Sequence, residues 1–113
     1  MLKRIASSRD EHAAAELRQD VGITTGATPL TECANGTRVS VAGRLTTVTL
    51  RPRAGVPALE AELFDGSGRV DVVWLGRRRI GGIEPGRRIV VHGRITDQQG
   101  RRMIFNPSYE LKP

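Results

Sequence analysis

The chain predicts an all-β fold: a small closed barrel of five strands, preceded by one short helix. Three observations predict it. The strand-like runs alternate apolar and polar residues with period 2, as sheets with one wet face do. Turn residues punctuate them at Asp65-Gly66-Ser67-Gly68, Glu84-Pro85-Gly86 and Asp97-Gln98-Gln99-Gly100. The segment Arg38–Thr46 is echoed by Arg88–Thr96 at an offset of 50, each with a glycine where a long strand can coil. That single echo is not a tandem array, so two long wrapping strands are expected rather than a solenoid.

Residues 1–37 read as an N-terminal helix and connector, and 38–113 as one β domain. Within the first part, Ser8 and Glu11 form a capping box, and Ala13, Ala14, Leu17 and Val21 make a narrow apolar stripe. The helix is expected over 8–21, with Gly22 at its end. His12 on it reads as a solvated residue. Gly26, Pro29, Asn35 and Gly36 mark 22–37 as a loose connector, so loss of residues 1–30 is expected to leave a folded domain.

The first strand runs from Arg38 to Leu50. Val39, Val41 and Leu45 share one parity, and Val48 and Leu50 have the other. Such a switch requires a bulge or bend, and Gly43 marks where the backbone can coil. Arg51 to Pro57 is a loop. Residues 58–64 and 69–75 form an antiparallel hairpin, with Leu59, Ala61 and Leu63 inward and Glu60 and Glu62 outward. Residues 76–86 hold too many glycines for a full helix and allow a single turn around Arg77–Ile80. Arg87–Thr96 is the fourth strand, and Arg101 to Leu111 the last, with Phe105 and Tyr109 on one parity.

Charge separates the two parts. Residues 1–37 carry a net of −1, whereas 38–113 carry fourteen Arg and Lys against seven Asp and Glu, a net of +7. A basic β domain suits a polyanion, most often a nucleic acid. Arginine outnumbers lysine 16 to 2. Guanidinium suits phosphate forks and base stacking, but a GC-rich genome produces the same bias.

Five strands, a long coiled first strand and a short crossover before the fourth match the oligonucleotide/oligosaccharide-binding fold (OB-fold). That fold binds partners on its strand 2–3 face and in loops 1–2 and 4–5. Asp65–Gly68, Val72–Leu75, Pro85–Gly93 and Met103–Glu110 also resemble the OB-fold wedge domain of RecG-type DNA helicases. They resemble the broader anticodon-binding OB-fold group as well. The resemblance covers roughly residues 38–111. It implies a grip on branched DNA, with aromatics near the end of strand 3 stacking on bases. Trp74 matches such an aromatic, and Leu75 stands where a second would be expected. No Gly-x-x-x-x-Gly-Lys-Ser/Thr loop occurs, so the helicase motor does not carry over and binding remains.

The expected nucleic-acid-binding residues are Arg51, Arg53, Phe64, Trp74, Arg101 and Arg102. The arginines lie in loops 1–2 and 4–5, flanking the strand 2–3 face. Phe64 has outward parity and is a candidate stacking platform, packing beneath the N-terminal helix being its alternative. Strict alternation puts Trp74 on the core side with Val70 and Val72, and a strand-end bulge would expose it. Partial exposure at the groove edge, in contact with nucleic acid, is the expectation. His92, between Val91 and Gly93, falls on the outward parity.

No catalysis is expected. Glu60, Glu62 and Asp71 are the nearest approach to the clustered carboxylates of a metal-dependent nuclease, and charged outer sheet faces are common. The two histidines accompany no nucleophile elbow. Cys33, the single cysteine, excludes a disulfide framework and a thiolate zinc site, and reads as a small buried residue. No cofactor is implied. No apolar run reaches the length of a membrane span and the N-terminus lacks a secretory core, so a cytoplasmic protein with no membrane partner is expected. The expected partner is single-stranded or branched DNA. RNA binding and a protein–protein adaptor role are the alternatives, and oligomeric state is left open.

Overall fold

A computed structural model describes residues 27–113, and the helix expected over 8–21 lies outside them. Six strands form one sheet: β1 (Arg38–Leu50), β2 (Ala58–Phe64), β3 (Arg69–Leu75), β4 (Arg88–Gln98), β5 (Arg101–Phe105) and β6 (Ser108–Lys112). The order β1-β2-β3-β5-β4 closes on itself because β1 also pairs with β4, giving a five-stranded OB-fold ring. The closing β3–β5 pair is parallel and every other pair is antiparallel.

β1 belongs to both halves of the ring. Its first half pairs with β4 and its second half with β2, and Arg44 is the rung shared by both ladders. The two strands diverge there because Gly43 lets β2 come close: a Cβ on Gly43 would lie 2.3 Å from the Phe64 carbonyl oxygen. The expected bulge is at Thr46, between the Leu45 and Thr47 rungs. It switches the inward residues from Val41 and Leu45 to Val48. Leu50 shares the inward parity but lies at the open strand end, 48% exposed.

The last strand differs from the single run expected. Pro107 has no N–H to give a ladder, and Asn106 takes φ +52°. The chain kinks there and splits into β5 and β6, both along the same edge of β4. The kink ties to β3: Asn106 N–H donates to the Val73 carbonyl at 2.6 Å, and Asn106 Oδ1 accepts from Leu75 N–H at 2.8 Å. It also undoes the shared parity of Phe105 and Tyr109. Phe105 packs on Ala58, Val73 and Met103 outside the barrel, while Tyr109 packs on the inner core.

Fully buried Val41, Leu45, Leu63, Val72, Val91, Ile95 and Ile104 fill the interior. Each end is plugged. After β3, a turn between Ile80 and Ile83 carries both isoleucines into the core, three residues beyond the turn expected. At the other end, residues 27–37 are not a loose connector. A 3-10 turn, Leu30–Glu32, presses fully buried Leu30 into the main core. Leu30 N–H donates to Asp65 Oδ2 at 2.7 Å. Asp65 Oδ1 accepts from Ser67 N–H, Ser67 Oγ–H and Gly68 N–H at 2.8–2.9 Å. The hairpin turn read from Asp-Gly-Ser-Gly is therefore also the anchor for the incoming chain. Only Gly66 of its two glycines adopts positive φ.

Candidate nucleic-acid interface

The outer face of β2, β3 and β5 carries three successive rungs of distinct chemistry. In the first, Phe64 pairs with Arg69, whose guanidinium lies 4.7 Å from the ring centroid. In the second, Glu62 pairs with Asp71. Arg101 binds Asp71 through Nε at 2.8 Å and Nη2 at 2.5 Å, and Arg69 Nε lies 3.5 Å from Glu62 Oε1. In the third, Val73 stands between Glu60 and Phe105. Arg53 reaches over it from the β1–β2 loop, donating from Nε to Glu60 Oε2 at 2.7 Å, its guanidinium 5.6 Å from the Phe105 ring centroid. The first and third rungs are four residue steps apart along β3, about 13 Å by strand rise.

Each outer aromatic thus carries an arginine, and each carboxylate of the face has a cationic partner. The Asp71 hydrogen bond, with its charge, raises the Arg101 pKa above the usual guanidinium value. Glu60, Glu62, Asp71, Arg101 and Arg51 line one shallow depression between the β1–β2 and β4–β5 loops. Among the described residues Arg51 forms no ion pair. The trio Glu60, Glu62 and Asp71 does meet on this surface. Among the described residues no group of His, Cys, Asp and Glu is arranged to hold a metal.

The six expected site residues therefore divide. Arg51, Arg53, Phe64 and Arg101 share the face, although Arg53 and Arg101 are tied to carboxylates rather than free. Arg102 points away. Its Nη1 and Nη2 donate to the Leu30 and Cys33 carbonyls at 2.5 and 2.6 Å, closing off the 3-10 turn. Trp74 is not at a groove edge. It is 5% exposed, donates from Nε1 to the Pro107 carbonyl at 3.2 Å, and meets Tyr109 edge to face at 5.7 Å. No bulge interrupts β3, so strict alternation holds and carries the indole inward with Val70 and Val72.

Two outer residues escaped the sequence reading. Phe105 was hidden by the parity break at Asn106, for which Asn-Pro in mid-strand was the available signal. Arg69 could have been found from its place opposite Phe64 across the Asp65–Gly68 turn.

On the far side, Ser40 Oγ lies 2.7 Å from His92 Nδ1, and His92 Nε2 lies 2.8 Å from Glu110 Oε2. The His92 and Lys112 contacts hold the Glu110 carboxyl below the usual carboxylate range. Ser40 sits in mid-strand, not on the sharp turn that exposes a nucleophile.

Comparison with known proteins agrees with this geometry. The tRNA anti-codon family model, an OB-fold nucleic acid binding domain, matches residues 39–112. No curated protein matches the chain. Among solved structures it is similar to RecG bound to a three-way DNA junction, with TM-score 0.62 and 21% identity over 76% of this chain and 12% of that one. The p204 HINb domain gives TM-score 0.61 and 18% identity over 75% of this chain and 46% of that one. A replication protein A heterotrimer bound to ssDNA gives TM-score 0.54 and 16% identity over 86% and 77%. The chain thus spans a small part of the RecG chain and under half of the HINb one, and identities this low carry the fold alone. With a family model that covers most of its length, the chain belongs to the tRNA anti-codon family of OB-fold nucleic acid binding domains.

Proposed function

We propose that the domain binds single-stranded or branched DNA, without catalysis, on the outer face of β2, β3 and β5. One observation carries the reading: two phenylalanines, each with an arginine over its ring, stand on one sheet face about 13 Å apart along β3, a carboxylate rung between them. Aromatic rings and guanidinium planes stack on any base, and such stacking is the main sequence-tolerant contact to a single strand. Carboxylates repel phosphate but accept hydrogen bonds from base amino groups. Bases would therefore lie on the sheet, with the backbone toward Arg51. Structural neighbours solved with a DNA junction and with ssDNA support the choice of DNA.

The test is fluorescence anisotropy with matched single-stranded DNA, forked DNA and RNA at two salt concentrations. Phe64→Ala and Phe105→Ala are each expected to cost about 1–3 kcal/mol of binding. Unchanged affinity in both variants would refute the face. Tighter binding to matched RNA would refute the preference for DNA.

A further inference from the structure

The two ends of the base-stacking face differ in charge. At the Phe64 end, Arg69 and Arg101 are matched by Glu62 and Asp71. At the Phe105 end, Arg53 takes up Glu60, and β3 runs on through exposed Leu75 into Gly76-Arg77-Arg78-Arg79. All three of these arginines are exposed. Among the described residues their side chains form no hydrogen bond, ion pair or ring contact. Residues 76–87 hold no aromatic and a single acid, Glu84.

The arginine triplet is held at both of its ends. Before it, Gly76 N–H donates to the Pro57 carbonyl at 2.7 Å, which ties it to the foot of the loop that carries Arg51 and Arg53. After it, Ile80 is buried in the core, and the Ile80 carbonyl accepts from Ile83 N–H at 3.1 Å. Three residues therefore bridge two fixed points, with their side chains in solvent. Backbone fixed in advance is not ordered again when a ligand arrives, which lowers the cost of binding.

We propose that Arg77, Arg78 and Arg79 grip the phosphate backbone of a duplex arm where it joins the strand lying on the β2-β3-β5 face. The proposal rests on the DNA-binding reading above and goes beyond it, because it fixes the end of the face at which the duplex stands. Charge density favours a duplex over a further length of single strand. The three Cα atoms span at most about 7 Å, and duplex DNA carries one negative charge per about 1.7 Å of axis. Cations with no aromatic among them suit phosphates and give no sequence preference. The triplet lies at one end only, and a strand on the face has distinct 5′ and 3′ ends. The duplex is therefore accepted on one side of the strand and not on the other.

The experiment compares the full chain with Arg77→Gln/Arg78→Gln/Arg79→Gln. The ligands are a single strand, the same strand with a duplex arm at its 5′ end, the same strand with that arm at its 3′ end, and polyglutamate. The wild-type chain is expected to bind one tailed duplex about tenfold more tightly than the other. The variant is expected to keep its melting temperature and to bind the single strand within about twofold of wild type. It is expected to lose the preference between the tailed duplexes, with the salt slope for the favoured one reduced by about 2.7 for three lost phosphate contacts. Should the triple variant melt early, Arg78→Gln alone is expected to reduce that slope by about 0.9. Equal wild-type affinity for the two tailed duplexes, or a variant that keeps the preference and the slope, would overturn the triplet's role and leave the sheet face standing. Equal loss for single strand and tailed duplex would put the triplet on the single strand and overturn the duplex contact. Loss of polyglutamate binding alone would put an acidic protein there instead. A wild-type chain that binds none of the DNA ligands would overturn both readings together.

Discussion

Val41 and Val91 face each other across the β1–β4 ladder, and they are also the equivalent residues of the 50-residue echo. The two echoed segments therefore pair with each other, antiparallel, around a local two-fold centred on these valines. The relation explains why both segments need a glycine at the same place. Gly43 and Gly93 are equivalent under the echo, and each lets another element approach. A Cβ would lie 2.3 Å from the Phe64 carbonyl oxygen at Gly43, and 2.7 Å from Ile104 Cγ2 at Gly93. Gly43→Ala and Gly93→Ala are each expected to destabilise by about 1–3 kcal/mol, as overpacking does. Gly43→Ala should cost more, because backbone cannot turn aside as a side-chain methyl can. Urea denaturation of both variants checks the order, and a milder Gly43→Ala would contradict it.

The segment before β1 is part of the barrel. Leu30 is fully buried, and its N–H is held by the buried Asp65 carboxylate. Leu30→Ala should cost about 2–5 kcal/mol through the cavity it leaves. Asp65→Ala should cost a similar amount, because four donors lose a charged acceptor. A double-mutant cycle should show coupling between them, since they share one hydrogen bond. Additive losses would mean that the turn and the segment are secured separately. Removal of residues 1–30, harmless on the sequence reading, should therefore weaken cooperative unfolding.

Trp74 reports on the core, not on the ligand. Its fluorescence should be blue-shifted and unaffected by saturating oligonucleotide. Trp74→Ala should cost about 3–5 kcal/mol of stability, and Trp74→Phe about 1 kcal/mol for the lost bond to the Pro107 carbonyl. Red-shifted emission quenched by DNA would show that the indole leaves its pocket on binding.

Cys33 is half-buried, and its thiol lies 3.5 Å from the Pro29 carbonyl oxygen. Burial pushes its pKa above the ordinary thiol value, outweighing the opposite pull of Arg102. The thiol form is therefore favoured in the fold. This contributes stability below the unfolded thiol pKa, and the contribution is lost as pH climbs through the folded one. Iodoacetamide should react more slowly than with free cysteine, with its rate profile displaced to higher pH. A profile matching that of the unfolded chain would show that the segment opens freely.

Most of the barrel was legible because its period-2 pattern and its turns are local. The Asp65–Gly68 hairpin and the parity switch in β1 needed no knowledge of neighbours. Leu30 was not legible. Its 3-10 turn is too short for periodicity, and its burial depends on Asp65, 35 residues away. Trp74 shows a different failure. Strand alternation pointed inward, and the resemblance to wedge domains pulled the reading outward. At Phe105 the pattern itself misled, because a positive-φ Asn106 resets the parity.

Arg51 and Arg102 make the sharpest contrast among the loop arginines. On sequence both flank the same groove. In the structure Arg51 lines the depression, while Arg102 spends its guanidinium on the Leu30 and Cys33 carbonyls. Arg51→Ala should leave the melting temperature unchanged and flatten the salt dependence of single-strand binding by about 0.7. Arg102→Ala should do the reverse. It should destabilise by about 1–3 kcal/mol, because two carbonyls lose a charged donor, and it should leave the slope unchanged. Arg101→Ala belongs between them, since its charge reaches the depression only beside Asp71. Removing it unmasks a carboxylate there, so affinity should fall by more than one lost phosphate contact, and Asp71→Asn in the same background should restore part of it. If the double variant binds no better than Arg101→Ala alone, the ion pair plays no part in shaping the face.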